Sequence, residues 1–289
     1  MPFPRVKDYH KPGQPLVPNA YGVFYAMVSV CYWFILSFLG SSIPWLRVYS
    51  DDALALATSV LFGSTMGLID DMIDLRWRYK AVLPVFASLP YIALGVPSRT
   101  SVQVPFIGLV QLNVLFFYLL VPVIVTVTTN TYNQLGGLNG LESLSGLIVL
   151  AGLSLAAQNF MLTAVPLLCL AWLGYLGFTG KAFVGNVGTF SIGLTLAIFS
   201  VLMDVKMVLL ICLVPFVLNS VMILFSNYLM GERADTLLDN DGRLYSSHIR
   251  SLRTMILHDN PMGERRVVFI LCGLVAMSTG AALVIQWLF

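Results

Sequence analysis

The sequence predicts an all-α protein: a polytopic membrane bundle of about nine transmembrane helices, in one domain spanning 1–289. Composition is the first reason. Of 289 residues, 58% are apolar and only 10% charged, against roughly 25% charged in ordinary soluble domains. Mean hydropathy is +0.85. A soluble globule of this length has too little interior to hide so much apolar surface, which excludes water-soluble, disordered and fibrous classes. The second reason is periodic recurrence of long apolar runs. The third is a one-sided distribution of Lys and Arg.

The runs, in order, are Ala20 to Trp45, Ala53 to Ile69, Ala81 to Val96, Ile107 to Val127, Leu141 to Ala157, Phe160 to Phe178, Gly188 to Met203, Met207 to Leu229 and Val267 to Leu288. Each reads as one span. Gly63, Gly67, Pro84, Pro90 and Pro122 mark kinks or close packing, which a helix bundle tolerates. The first 19 residues are polar and carry five prolines, so they read as a segment outside the membrane and not as a signal peptide. Cys31, Cys169, Cys212 and Cys272 sit in apolar runs without metal or redox spacing and read as small buried hydrophobes.

Alternating the nine runs places Arg5, Lys7, Lys11, Arg76, Arg78, Lys80, Lys181, Arg233, Arg243, Arg250, Arg253, Arg265 and Arg266 on one side, and only Arg47, Arg99 and Lys206 on the other. Positive charge marks the cytoplasmic side. The expectation is a cytoplasmic N-terminus and an external C-terminus. The long segment 231–266 is then a cytoplasmic loop. The net charge of +2 is too small to suggest nucleic acid.

The inner loops hold nearly all the chemistry. A channel or carrier would place ionisable groups along a mid-membrane path, whereas these helix centres carry almost none. An enzyme at the inner face is the better reading. Asp70, Asp71 and Asp74 end the second run, and if the helix continues, Asp70 and Asp74 share a face. A charge at a helix centre costs ~2.5–3.5 kcal/mol on insertion scales, so this cluster suggests a cation or a base. Arg76, Arg78 and Lys80 follow directly, and acid beside base suits Mg²⁺ with phosphate.

Asn130, Asn133, Asn139 and Glu142, interleaved with Gly136, Gly137 and Gly140, read equally as a ligand pocket or as a polar turn with helix caps. Asn amides suit a base edge such as uracil. The stretch from Phe183 to Thr189 opens the seventh run, and its helix N-terminus favours an anion, the alternative being a turn with Asn186 as cap. In the last loop, His248 reads as solvated. Arg250 and Arg253 suit phosphate, sugar or anionic lipid headgroups.

On these residues the chain resembles the polyprenyl-phosphate N-acetylhexosamine-1-phosphate transferases, and among them the dolichyl-phosphate N-acetylglucosamine-phosphotransferases. DDMIDLRWRYK matches the family's DDxxxLRWRxK, NTYNQLGGLNGLE its NxxN…GxNGLE, and KAFVGNVGTFSIG its VFxGDxxxF/S…G. KDYHKPGQPLVPNAYG is similar to the loop that follows the family's first helix. The family has ten helices, so the resemblance implies this fold without its first helix.

The implied reaction moves a sugar-1-phosphate from a UDP-sugar to a polyprenyl or dolichyl phosphate. It releases UMP and needs Mg²⁺. The resemblance places Asp70 and Asp71 beside the lipid phosphate and metal, Asn133 near Mg²⁺ and the diphosphate, Asn139 at uracil, and Lys80 at the diphosphate. Arg250 and Arg253 correspond loosely to diphosphate- and sugar-binding residues. Asn130, Glu142 and His248 complete the candidate substrate-binding set. Asn186 stands where the family has a metal-ligating Asp, so the site loses a negative charge while keeping a carbonyl oxygen. The expected metal set is Asn133, Asn186 and Asp71.

The alternatives are a transferase acting on UDP-MurNAc-pentapeptide, an inactive relative and a transporter. The expected partners are the UDP-sugar, the lipid phosphate and the membrane, with a second copy as homodimer partner left open. The short loops favour an archaeal cell membrane over the endoplasmic reticulum.

Overall fold

The computed structural model describes residues 3–96, 100–104, 108–231 and 235–288. Arg99 and Arg233, both used in the charge count, lie outside them. The chain opens with a hairpin of β1 (Arg5–Lys7) and β2 (Leu16–Pro18), antiparallel with Val6 opposite Val17. Then come α1 (Gly22–Ser42), α2 (Ser50–Ile73), α3 (Trp77–Phe86) and α4 (Leu89–Leu94). A second hairpin, β3 (Ser101–Val104) with β4 (Gly108–Gln111), leads into α5 (Val121–Leu135), α6 (Leu141–Ala156), α7 (Ala164–Phe178) and α8 (Gly185–Leu202). After α9 (Lys206–Cys212) and α10 (Val214–Phe225), the last inner segment carries the short pair β5 (Leu237–Leu238) and β6 (Leu244–Tyr245) and α11 (Leu252–Leu257). The chain closes with α12 (Glu264–Leu288).

Among the described residues, Gly22–Ser42, Pro44–Ile73, Gly185–Leu202 and Glu264–Leu288 are long and apolar enough to cross a membrane. Lys206–Cys212 and Val214–Tyr228 reach that length and apolarity only together, as a pair bent by 54°. Pro215 at the start of α10 explains the bend, because it lacks the N–H that would continue the helix from α9. α6 and α7 are shorter apolar helices. The chain is therefore a polytopic helical membrane protein.

Besides this bent pair, two of the apolar runs depart from single helices. The fourth run does not begin as a helix. Gly108–Gln111 is a strand, and regular α-helix starts only at Val121, after a π turn over Phe116–Leu120. The alternation in Ser101–Val104 and Gly108 at φ +93° favour a hairpin where apolar content alone suggests a span. The third run is split into α3 and α4 just after Pro84.

α8 is the central pillar. Every residue from Val187 to Val201 is buried, against α1, α2, α5 and α6. Small residues let the backbones close up, as membrane helix packing requires. A Cβ on Gly67 would stand 2.6 Å from the Asn186 carbonyl oxygen, and one on Gly193 2.8 Å from the Thr129 Cα. Tyr25 donates to Thr195 (2.9 Å), so the polar groups inside the pillar have partners.

Candidate active site

The polar residues gather where α8 begins. Gly185 adopts φ +72°, which glycine tolerates without strain, and it turns the chain into the helix. The first free amides of α8 then face the end of α2. Asp71 accepts the Asn186 N–H on Oδ1 and the Val187 N–H on Oδ2, each at 2.9 Å. The anion expected at this helix N-terminus is thus supplied by the protein. A carboxylate there satisfies two orphan donors and complements the helix dipole. Asn186 is not the cap.

Asn133, near the end of α5, joins the same point. Its Nδ2 donates to Asn186 Oδ1 (3.1 Å) and to Thr189 Oγ1 (2.8 Å). Both amide hydrogens are then used, and only the carbonyl oxygen of Asn133 remains for a ligand. Asp71, Asn133, Asn186, Thr189 and Glu142 line one cavity of about 370 Å³ together with Lys7, Asp8 and His10 of the N-terminal hairpin.

Asp70 lies one residue from Asp71 but serves a different side of the helix end. It is 2% exposed. Its Oδ1 accepts the Leu75 N–H at 2.9 Å and pairs with Lys80 Nζ at 3.0 Å, while Oδ2 is buried without a partner. The helix does not continue to Asp74. That residue takes φ +46° and ends it. Lys80 instead reaches back to bridge Asp70 and Asp74 (3.2 Å). Burial disfavours the Lys80 cation, but the two carboxylates outweigh it and raise the pKa above the usual lysine value.

Asn139 is 4% exposed and sits in a second cluster. Its Nδ2 donates to Asp8 Oδ2 and Glu264 Oε2, both at 2.8 Å, and its backbone N–H donates to Glu264 Oε1 at 2.8 Å. Lys11 pairs with Asp8 at 2.9 Å. Burial opposes ionisation of Asp8, yet the bonds from Asn139 and Lys11 leave its pKa below the usual value. His10 is held neutral down to about 4, first by burial and then by the Arg253 charge. Its 3.8 Å approach to Glu264 is therefore not an ion pair at neutral pH.

Glu142 accepts the Gly137 N–H at 2.6 Å and closes the glycine turn. Arg253 borders that turn, 3.4 Å from where a Gly137 Cβ would lie, with Nε buried and unpartnered. Burial lowers its pKa, offset by the Glu142, Asp235 and Glu264 carboxylates.

The structure thus brings Asp71, Asn133, Asn186 and Glu142 to one cavity, with Asn139 and Arg253 beside its wall. Asp70 and Lys80 form a neighbouring pair outside the lining. Three candidates lie elsewhere among the described residues. Asn130 ties α5 to α3 through the Ala81 carbonyl (3.0 Å). The Arg250 N–H donates to Thr254 in the cap of α11, and His248 packs by Ser246. Asp8, His10 and Glu264 were not singled out as functional from the sequence. The available signal was the alternation of polar residues in KDYHK, which puts Asp8 and His10 on one side of an extended segment.

A bundle of apolar helices with an amide- and carboxylate-lined cavity at one helix end defines an integral membrane protein with a polar ligand site. The sequence pattern of glycosyl transferase family 4 matches residues 53–204, over half of the chain, and the chain belongs to that family. It is 28% identical over 292 residues to a Saccharolobus solfataricus protein, covering 97% of this chain and 87% of the other. That relative is provisionally named a UDP-N-acetylglucosamine–dolichyl-phosphate N-acetylglucosaminephosphotransferase. It is 27% identical over 262 residues to a Dictyostelium discoideum protein of the same name without the qualifier, covering 73% of this chain and 62% of that one.

Proposed function

We propose that this protein transfers N-acetylglucosamine-1-phosphate from UDP-N-acetylglucosamine to a polyprenyl or dolichyl phosphate at the cytoplasmic membrane face, releasing UMP. The observation that carries the reading is the convergence of Asp71, Asn133 and Asn186 on one cavity at the N-terminus of α8. The names of the relatives support the substrate pair. The excess of Lys and Arg on one side of the bundle supports the face.

Mg²⁺ fits the donor set. One carboxylate and two amide oxygens are hard ligands of the kind this cation takes, and Asp71, Asn133 and Asn186 would hold it. When bound, it would neutralise charge on the diphosphate. The chain's own contribution is positioning and electrostatics, the main terms in phosphoryl transfer. Lys80 keeps its cation beside Asp70. Asp70, whose Oδ1 accepts the Leu75 N–H and pairs with Lys80, anchors the end of α2 that presents Asp71 to the cavity. A phosphate monoester is mostly dianionic at neutral pH, with a second pKa near ~6, so the lipid phosphate needs little help from a base. The reaction is a single in-line attack of the lipid phosphate on the sugar-bearing phosphorus, with UMP leaving.

The test is UMP release in detergent from UDP-N-acetylglucosamine and a polyprenyl phosphate across a Mg²⁺ series. Wild type turns over. Asp71→Asn loses at least ~100-fold, a drop typical of removing a preorganised charge. Asn186→Asp lowers the Mg²⁺ needed for half-maximal rate. No UMP from wild type under saturating substrates overturns the reading.

A further inference from the structure

Thr189, Asn133 and Asn186 form a one-way relay of hydrogen bonds. The Thr189 hydroxyl donates to the backbone carbonyl of Asn186 at 3.2 Å. A hydroxyl has one hydrogen to give, so Thr189 Oγ1 meets Asn133 as an acceptor. This turns Asn133 Nδ2 toward Thr189 (2.8 Å), and the second N–H of the same group reaches Asn186 Oδ1 (3.1 Å). The reverse orientation of Asn133 would set its carbonyl oxygen against two oxygens with no hydrogen between them. Asn186 therefore receives a donor on its carbonyl oxygen, and its own N–H groups lie on the other side of the amide.

Asn186 Nδ2 donates to nothing among the described residues, and unlike Asp70 Oδ2 it is not sealed from solvent. Asn186 is half-buried and lines the cavity at the start of α8, so this free donor opens on that cavity. The setting suits an anion. Both oxygens of the neighbouring Asp71 already accept backbone N–H groups. Lys7 lines the same cavity and pairs with no carboxylate among the described residues. A carboxylate at position 186 would do the opposite. It has no hydrogen to donate, and it would put a second negative charge beside Asp71, so that an anion could enter only behind a cation.

We propose that Asn186 is a hydrogen-bond donor to the diphosphate of the nucleotide, that Thr189 is the positioning residue that orients it through Asn133, and that this protein consequently binds its nucleotide without a metal ion. The bond from Asn186 Nδ2 to a phosphate oxygen is charge-assisted, and such bonds are among the stronger ones. Asn186 Oδ1 takes one N–H and keeps a second lone pair, so a cation can join once the nucleotide is in place. The nucleotide enters first and the metal follows. The proposal rests on the UDP-sugar reading above and adds the order in which nucleotide and metal bind.

The test measures the affinity of the full-length protein in detergent for UDP by calorimetry, once in EDTA and once in excess Mg²⁺. Wild type binds UDP in EDTA. Asn186→Ala weakens that binding about tenfold, the worth of one hydrogen bond to a charged group. Asn186→Asp weakens it further, through repulsion, and Mg²⁺ restores it, so that metal and nucleotide become strongly coupled where in wild type they are not. Thr189→Val leaves Asn186 in place but frees the relay, and it weakens binding in EDTA, whereas Thr189→Ser keeps the hydroxyl and the affinity. Thermal unfolding of each variant reports folding. A Thr189→Val protein that unfolds earlier but binds UDP as wild type does overturns the positioning role. Equal affinity of wild type and Asn186→Ala in EDTA overturns the donor. Wild-type binding in Mg²⁺ alone overturns the proposal while leaving the transferase reading intact. Binding under neither condition overturns both.

Discussion

α8 and α12 are both apolar enough to cross a membrane, yet they are held in opposite ways. α8 is enclosed along its length. Its glycines meet other backbones, and its N-terminus is fixed by a carboxylate from α2. α12 buries one stripe, through Val267, Val268, Leu271, Val275, Thr279 and Ala282, against α6 and α9. Phe269 (78% exposed) and Trp287 (88%) face outward. A Cβ on Gly273 or Gly280 would meet nothing within 4 Å. Only the first residue of α12, Glu264, reaches the functional end. In lipid, apolar surface does not drive helices together, so small residues and polar contacts decide which helix is central.

The contrast breaks most visibly at Gly67. Gly67→Ala forces the new methyl into the Asn186 carbonyl and the Val187 Cα (2.7 Å). Overpacking of this kind costs about 1–3 kcal/mol, and here the cost falls on the start of α8, where Asn186 meets Asp71 of α2 and Asn133 of α5. The expected result is a lower unfolding midpoint together with loss of UMP formation. An unchanged midpoint would show that α2 and α8 can separate freely.

The smaller effect of acid sharpens the comparison at α12. His10, beside Glu264, stays neutral in the fold down to about pH 4, whereas in the unfolded chain it takes up a proton near its ordinary value of 6.5. The unfolded state then binds more protons between those limits, so stability falls as pH drops from about 6.5 to about 4. Unfolding midpoints at pH 7 and 4.5 should differ by less in His10→Gln than in wild type. Equal differences would mean that His10 titrates normally.

The smallest effect belongs to Gly280→Ala. The added methyl has open space, and replacing a helical Gly stabilises by about 0.4–1 kcal/mol. A slightly raised midpoint is expected. Damage comparable to Gly67→Ala would reveal a partner packed on that face.

Much of this was legible beforehand. Apolar runs located α1, α2, α6, α8 and α12 to within a few residues, because burial in lipid demands length and composition that a sequence displays openly. The motif residues Asp71, Asn133 and Asn186, far apart in the chain, meet at the start of α8. The fourth run misled, since hydropathy does not distinguish an apolar hairpin from the start of a helix. Asn130 looked like its neighbours in the loop but faces α3, a matter of helix phase and partner.

The sequence by itself determined the class of protein and the approximate bounds of several of its helices. Each follows from local composition or spacing. Only the tertiary structure decided that Asp71 caps a helix 115 residues away, and that Lys80 bridges Asp70 and Asp74. It also decided that Asp8 and Glu264, from opposite ends of the chain, grip the amide of Asn139. Those pairings depend on helix packing, in which glycine contacts set how closely and at what rotation the helices meet. No window of sequence contains both partners.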